Sequence, residues 1–404
     1  MKPALILLLF LLSFALAGPT VLNLNPDADA TRPSLAVDPQ GRVVVAWLET
    51  QNGVKRVFVR RWGGSGWGNM GGFLNVNPRF PAAYTSLALN ASGNPVVAFT
   101  EKNPDQRGKV FGSGKLYVKQ FDGRVWAQVG PSPSKSENTV SDTATLRLDT
   151  KGLPVVAWHE IPPDFNADLF YMSRWNGSRW VTVDWGTLNV DISSGSRSRT
   201  FILRGDQPIL AYSKQLYLSG EGYYNFQLYV GTWAGSYWRP MGIQGRSERG
   251  EGSLNQSRDN WAGSGHLALD SLGNPMVAYN ETGGGFNVFV QRWDGTSWQG
   301  YGASVNGDSG LGYRPQIRMD AQDNPVVGWL ENSGALQMRV ARWDGVQWVG
   351  LPVLNRNPKA DVESFSLALD QGGNPVVAWA EMAGKTHRIF VARWEGKAWV
   401  GLGR

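Results

Sequence analysis

Two short phrases alternate along this chain, seven times each, and they predict an all-β fold: a seven-bladed β-propeller of four-stranded antiparallel blades. The first phrase reads Ser86-Leu-Ala-Leu-Asn-Ala-Ser-Gly-Asn-Pro-Val-Val-Ala-Phe99 and returns as Ser366-Leu-Ala-Leu-Asp-Gln-Gly-Gly-Asn-Pro-Val-Val-Ala-Trp379. Further copies begin near Ser34, Thr145, Leu267 and Gln316, and a degenerate one covers 201–212. The second phrase reads Arg292-Trp-Asp-Gly-Thr-Ser-Trp298, Arg342-Trp-Asp-Gly-Val-Gln-Trp348 and Arg393-Trp-Glu-Gly-Lys-Ala-Trp399, with earlier versions ending at Trp67, Trp126, Trp180 and Trp238. Composition agrees. With 50 Gly and 19 Trp in 404 residues and only 18% charged, the chain suits short strands, tight turns and aromatic filling between sheets.

The N-terminus has the parts of a secretory signal. Lys2 precedes an apolar run over 4–15, and Ala15-Leu16-Ala17 offers the small residues of a cleavage site, so 1–17 is expected to be removed. The run is shorter than the roughly 20 apolar residues a membrane span needs. Residues 18–404 are then one propeller domain, exported to the periplasm or the medium, as an exported chain without cysteine suits a bacterium. The absence of cysteine excludes disulfides, thiol catalysis and a lipobox anchor. A formal charge of +6 is spread along the chain rather than gathered in a stripe, which argues against a nucleic-acid partner.

Each phrase reads as a hairpin. In the first, Leu267-Ala-Leu269 meets the turn Asp270-Ser-Leu-Gly-Asn274, and Pro275 opens the next strand where a missing N–H does least harm. In the second, 287–293 alternates, Asp294-Gly295 turns, and Trp298 begins the return. The strand Pro-Val-Val-Ala-Trp is apolar on both faces, as expected when both faces of a sheet are covered by neighbouring blades. Between repeats the chain reads Leu-Asn-x-Asn-Pro, at 74–78 and 354–358; the last repeat lacks that segment, and 21–26 has it. The N-terminal segment 20–26 is therefore expected to complete the last blade and fasten the ring.

An antiparallel meander puts its first-to-second and third-to-fourth turns at one end and all other connections at the opposite end. The first set is short and uniform here, while the length variation falls at 102–115, 131–142, 161–168, 214–227 and 243–264. Variable loops on a rigid scaffold are where binding residues sit. At that end six blades carry Glu two residues after the aromatic of the second strand: Glu49, Glu101, Glu160, Glu281, Glu331 and Glu381. Two readings stand side by side: a ring of acceptors for sugar hydroxyls, cations or basic peptides, or a strand-ending residue bonded to neighbouring loop N–H groups. Blade four departs most from the repeat, with Lys214 for Glu and Thr232 for Arg. Tyr223, Tyr224, Arg246, Arg249, Arg258 and Trp261 in or beside its loops are of the types that binding hot spots favour.

The hairpin Trp-Asp-Gly-x-x-Trp resembles the turn of fungal fucose-binding propeller lectins, and its Asp, Gly and Trp resemble the Asp-box of sialidases. An Asp-box separates its Asp and Gly, whereas Asp294 and Gly295 are adjacent. The resemblance implies a propeller and a carbohydrate-related role. His159, His266 and His387 lie in unrelated repeats without metal-ligand spacing, and nucleotide-binding and nucleophile-elbow motifs are absent. Asp164, Asp168, Glu160 and Glu221 could supply paired carboxylates, but no arginine triad matches that of sialidases. The expectation is a monomeric, cofactor-free binding or scaffold propeller for a carbohydrate or cell-envelope partner. The alternatives are a glycan-processing hydrolase or lyase and an envelope assembly module.

Overall fold

The computed structural model describes residues 21–103, 113–135, 140–161, 169–184, 200–218, 223–242, 252–307 and 311–403. Seven four-stranded antiparallel sheets follow one another as blades one to seven, spanning 30–69, 82–128, 140–184, 200–240, 262–300, 312–350 and 362–401. Within each, the strands lie in chain order, so the first is innermost and the short fourth outermost. No helix among the described residues is long and apolar enough to cross a membrane.

Burial explains why the second strand carries no polar alternation. In blade one, Val43 to Leu48 are each at most 2% exposed, because each face meets another blade. The apolar clusters have the same logic: Val45 and Trp47 pack with Ala378 and Val391 of blade seven, while Val44, Ala46 and Leu48 pack with Val97 and Phe99 of blade two. Seven such clusters, one per pair of neighbouring blades, form the core of a closed ring. Trp47, Trp158 and Trp379 are its largest fully buried side chains, each worth roughly 2–3 kcal/mol of burial.

Two circles of hydrogen bonds tie blade to blade. Near the axis, the hydroxyls of Ser366, Ser34 and Ser86 accept from Leu35, Leu87 and Leu146 N–H of the next blade, at 2.9–3.0 Å. At the rim, the indole N–H groups of Trp67, Trp126, Trp180, Trp348 and Trp399 donate to carbonyls of the preceding blade, Trp67 reaching Leu402 of blade seven at 2.9 Å. The two tryptophans of the second phrase touch each other, as in Trp62–Trp67 at 5.5 Å between ring centroids.

The first-turn aspartates do more than turn the chain. Asp270 Oδ1 accepts from Leu272 and Asn274 N–H, and Gly273 takes the left-handed backbone that the turn requires (φ 79°). The arginines of the Arg-Trp phrase pair with these aspartates: Arg292 with Asp270 at 2.6 Å, Arg342 with Asp320 at 3.4 Å and Arg393 with Asp370 at 3.7 Å. They thus stand at the end of the blade away from the glutamates.

All four strands of blade seven come from 362–401, so the N-terminal segment adds no strand to it. Leu22 N–H instead donates to Ile389 O at 2.8 Å, and Ile389 N–H donates to Asn23 Oδ1 at 2.9 Å. The Leu-Asn pair at 74–75 makes the same two contacts with Val57 inside blade one. The expected leader at 1–17 and Thr20 lie outside the described residues.

Candidate functional site

The six glutamates all reach the loop-bearing end, and none is more than 7% exposed. Each second strand ends there, and the chain entering the same blade passes over it. Glu49 accepts from Leu24 and Asn25 N–H and from Trp47 Nε1, all at 2.9 Å. Glu381 accepts from Arg356 and Asn357 N–H and from Trp379 Nε1 at 2.8–2.9 Å. Glu160 accepts from Lys135 N–H and Trp158 Nε1, and Glu281 from Gln256 and Ser257 N–H and Asn260 Nδ2. Glu331 accepts from Trp329 Nε1 at 3.1 Å and faces Arg339 Nε at 3.5 Å. The carboxylates are thus engaged with the repeat's own donors, chiefly the connection leading into each blade.

Glu101 differs because blade two carries Phe99 where four other blades have tryptophan. It accepts from Val76 and Asn77 N–H but from no indole. Burial with fewer donors pushes its carboxyl up to about 7, against the opposing pull of those two N–H groups and of Lys119. Burial likewise raises Glu281.

One concave feature at this end was not visible in the repeat phrases. A cavity of about 570 Å³ opens between blades five, six and seven, lined by Ser264, Asn280, Tyr313, Arg314, Asn332 and Glu363 among others. It exists because each inner strand bulges near its start: the register with the second strand slips between Gly263 and His266 and between Tyr313 and Gln316. Arg32, Tyr84, Ser264 and Arg314 occupy the same bulge position in blades one, two, five and six, with left-handed φ of 51–53°. Two guanidiniums and an aromatic ring therefore gather at one level of the ring, and Arg32 stacks on Tyr84 at 3.9 Å. Arg314 donates to Glu363 O at 3.0 Å, and Tyr313 packs against Phe286. Asn280 is 9% exposed, and its side-chain oxygen accepts no hydrogen bond from the protein. That oxygen is a buried acceptor without a protein partner, in a residue that lines the cavity.

The blade-four residues sit apart from this cavity. Tyr223 and Tyr224 pair with Leu218 and Tyr217 at the tip of the long second hairpin. Trp261 is 51% exposed, edge-on to Phe226 at 5.4 Å, and its backbone is clamped by Thr282. Arg258 O receives Asn225 Nδ2 and Gln227 Nε2 at 2.5 and 3.0 Å. Asp164, Asp168, Glu221, Arg246 and Arg249 lie outside the described residues. The histidines are dispersed: His159 lies edge-on to Phe170, His387 binds Asp29 at 2.8 Å, and His266 faces the axis. No group of three metal-ligating side chains occurs among the described residues.

No protein-family model and no curated protein matches the chain. Solved structures do. A PL25 ulvan lyase bound to -[GlcA(1-4)Rha3S]- aligns with TM-score 0.55 and 12% identity over 93% of this chain and 95% of its own. The polysaccharide lyase Uly1 aligns at 0.55 and 7% identity, covering 89% of each chain. The β-propeller domain of the Trilobed protease from Pyrococcus furiosus, described as having an open velcro topology, aligns at 0.53 and 10% identity over 93% and 96%. At such identities the likeness concerns the fold alone.

Proposed function

We propose that this is an exported propeller that binds glycans carrying carboxylate or sulfate groups at the cavity between blades five, six and seven. The observation that carries the reading is Tyr313 beside Arg314 in a cavity whose wall also holds the side chain of Asn280. An amide at the wall for sugar hydroxyls, a ring for an apolar sugar face and a guanidinium for an acidic substituent form a small, convergent polar set on a part-apolar wall. Arg32 stacked on Tyr84 extends the same chemistry around the ring. That two of the aligned structures are named polysaccharide lyases supports a carbohydrate ligand in particular. The six clamping glutamates serve the scaffold in this reading, and Trp261 with Phe226 forms a secondary contact surface.

A glycan array comparing neutral with uronate-containing and sulfated oligosaccharides, run beside lyase and glycosidase assays on the same sugars, tests it. Retention of acidic glycans without turnover is the expected result. Turnover would make the chain a glycan-processing enzyme, and silence on every glycan would leave an assembly role in its place.

A further inference from the structure

The opposite mouth of the axial channel holds two cations with no counter-charge. In blades one, two, five and seven the innermost strand presents Ala36, Ala88, Ala268 and Ala368 at one level, each paired with the same point of its second strand. Blade three places Arg147 there, opposite Val155, and blade six places Arg318, opposite Val326. With seven blades, three and six stand nearly across the ring, so the two guanidiniums enter one cavity of about 490 Å³ from opposing sides. Small alanines make that space, and Val37, Leu269, Met319 and Leu369 put an apolar collar around it.

Each guanidinium spends one nitrogen on its own chain: Arg147 Nη1 on Leu146 O and Arg318 Nη1 on Ile317 O, both at 2.8 Å. Neither makes an ion pair with a described residue. Burial, and for Arg318 the facing Arg147, lowers them to about 9 for Arg318 and about 10 for Arg147, as expected of charges held together without an acid. His266 completes the group from blade five. Its Nδ1 accepts from Ile317 N–H at 3.4 Å, and its Nε2 lies 3.4 Å from Arg318 Nη1. Burial and both arginines keep its pKa well below the ordinary value.

We infer that the channel mouth at the short-turn end is a binding site for a tetrahedral oxyanion of the phosphate or sulfate type, held between Arg147 and Arg318. Geometry selects the ligand. Each guanidinium is a planar fork that matches two oxygens at once. Two forks from opposing sides need oxygens on both sides of the ligand, which a tetrahedral anion has and a planar carboxylate lacks. The site is separate from the glycan cavity, which opens at the other end of the ring.

Thermal unfolding of the full chain in phosphate, sulfate, acetate and chloride, at matched pH and ionic strength, tests the site beside Arg318→Met and Arg147→Met. Phosphate and sulfate should raise the wild-type Tm over chloride by on the order of 2 °C at tenfold excess over Kd, and acetate should not. Both variants should lose that rise, retaining only the general stabilisation that excluded salts give any protein. In chloride they should melt no lower than wild type, because the repulsion is gone. Calorimetric titration of the wild type with phosphate gives the same answer should either variant fail to fold. No oxyanion-specific rise or heat in the wild type, an equal effect of acetate, or a full rise surviving in both variants would overturn the inference.

Discussion

Replacing Asn23 by alanine should weaken the ring as much as the same change at Asn75, and this comparison tests whether the N-terminal segment is a fastener. Asn75 Oδ1 accepts from Val57 N–H at 3.0 Å, and its Nδ2 donates to Phe80 O and Lys55 O at 2.8 and 3.2 Å. Asn23 Oδ1 accepts from Ile389 N–H at 2.9 Å, and its Nδ2 donates to Ala28 O at 3.0 Å and reaches His387 O at 3.5 Å. The contacts match; the difference is that Asn23 joins positions 366 apart in the chain. Two good hydrogen bonds contribute about 1 kcal/mol each, and an N–H left unpaired inside costs about 1–3 more, so each variant should lose roughly 3–5 kcal/mol. In a chain of this size that lowers Tm by about 4–6 °C. Scanning calorimetry of wild type, Asn23→Ala, Asn75→Ala and the double variant measures it. A drop for Asn75→Ala with none for Asn23→Ala would refute the fastening role, whatever the crossing contacts look like.

Three further outcomes are expected. Glu381→Ala strands three buried donors and should cost about 3–5 kcal/mol in urea unfolding, against at most about 0.5 kcal/mol for the exposed Glu395→Ala. Glu101 binds its proton more tightly folded, at about 7, than its ordinary 4.5. Its contribution to stability is therefore complete below pH 4.5 and lost as pH rises through 7, a fall of at most about 3 kcal/mol that Glu101→Gln should remove from the difference profile. Asn280→Ala should leave Tm unchanged or slightly raised, since its oxygen has no protein partner, while glycan affinity measured by calorimetry falls about tenfold; unchanged affinity would move the site elsewhere.

The blades were legible because turn chemistry and strand burial write themselves into residue type. Asp270, Gly273 and Pro275 each have one physical reason to stand where they do, and seven repetitions multiply the signal. The glutamates were legible as a set, but their partners were not. The donors are backbone N–H groups about 25 residues upstream, which leave no mark on composition. Only the indole of the neighbouring tryptophan could have been read, from the aromatic two residues before each Glu and its absence at Phe99. The cavity stayed hidden because a bulge is a matter of register: Arg32, Tyr84, Ser264 and Arg314 share a position but no side-chain type. The axial arginines did leave a trace. Leu-Arg-Leu at 146–148 and Ile-Arg-Met at 317–319 break a run of Leu-Ala-Leu, a charge where the repeat otherwise demands a small apolar residue.

In blades one, two, three, five and seven the Glu clamp grips the chain immediately before its own blade, so each of these carries its own tether. Blade two has more residues between its second and third strands than blade seven, yet Glu101 still grips Asn77 just as Glu381 grips Asn357. Growth at a loop tip therefore leaves the anchoring beneath it undisturbed, and no second change elsewhere is needed to restore it. Such a ring can exchange one loop at a time, altering what it recognises while the circle that presents the loops stays the same.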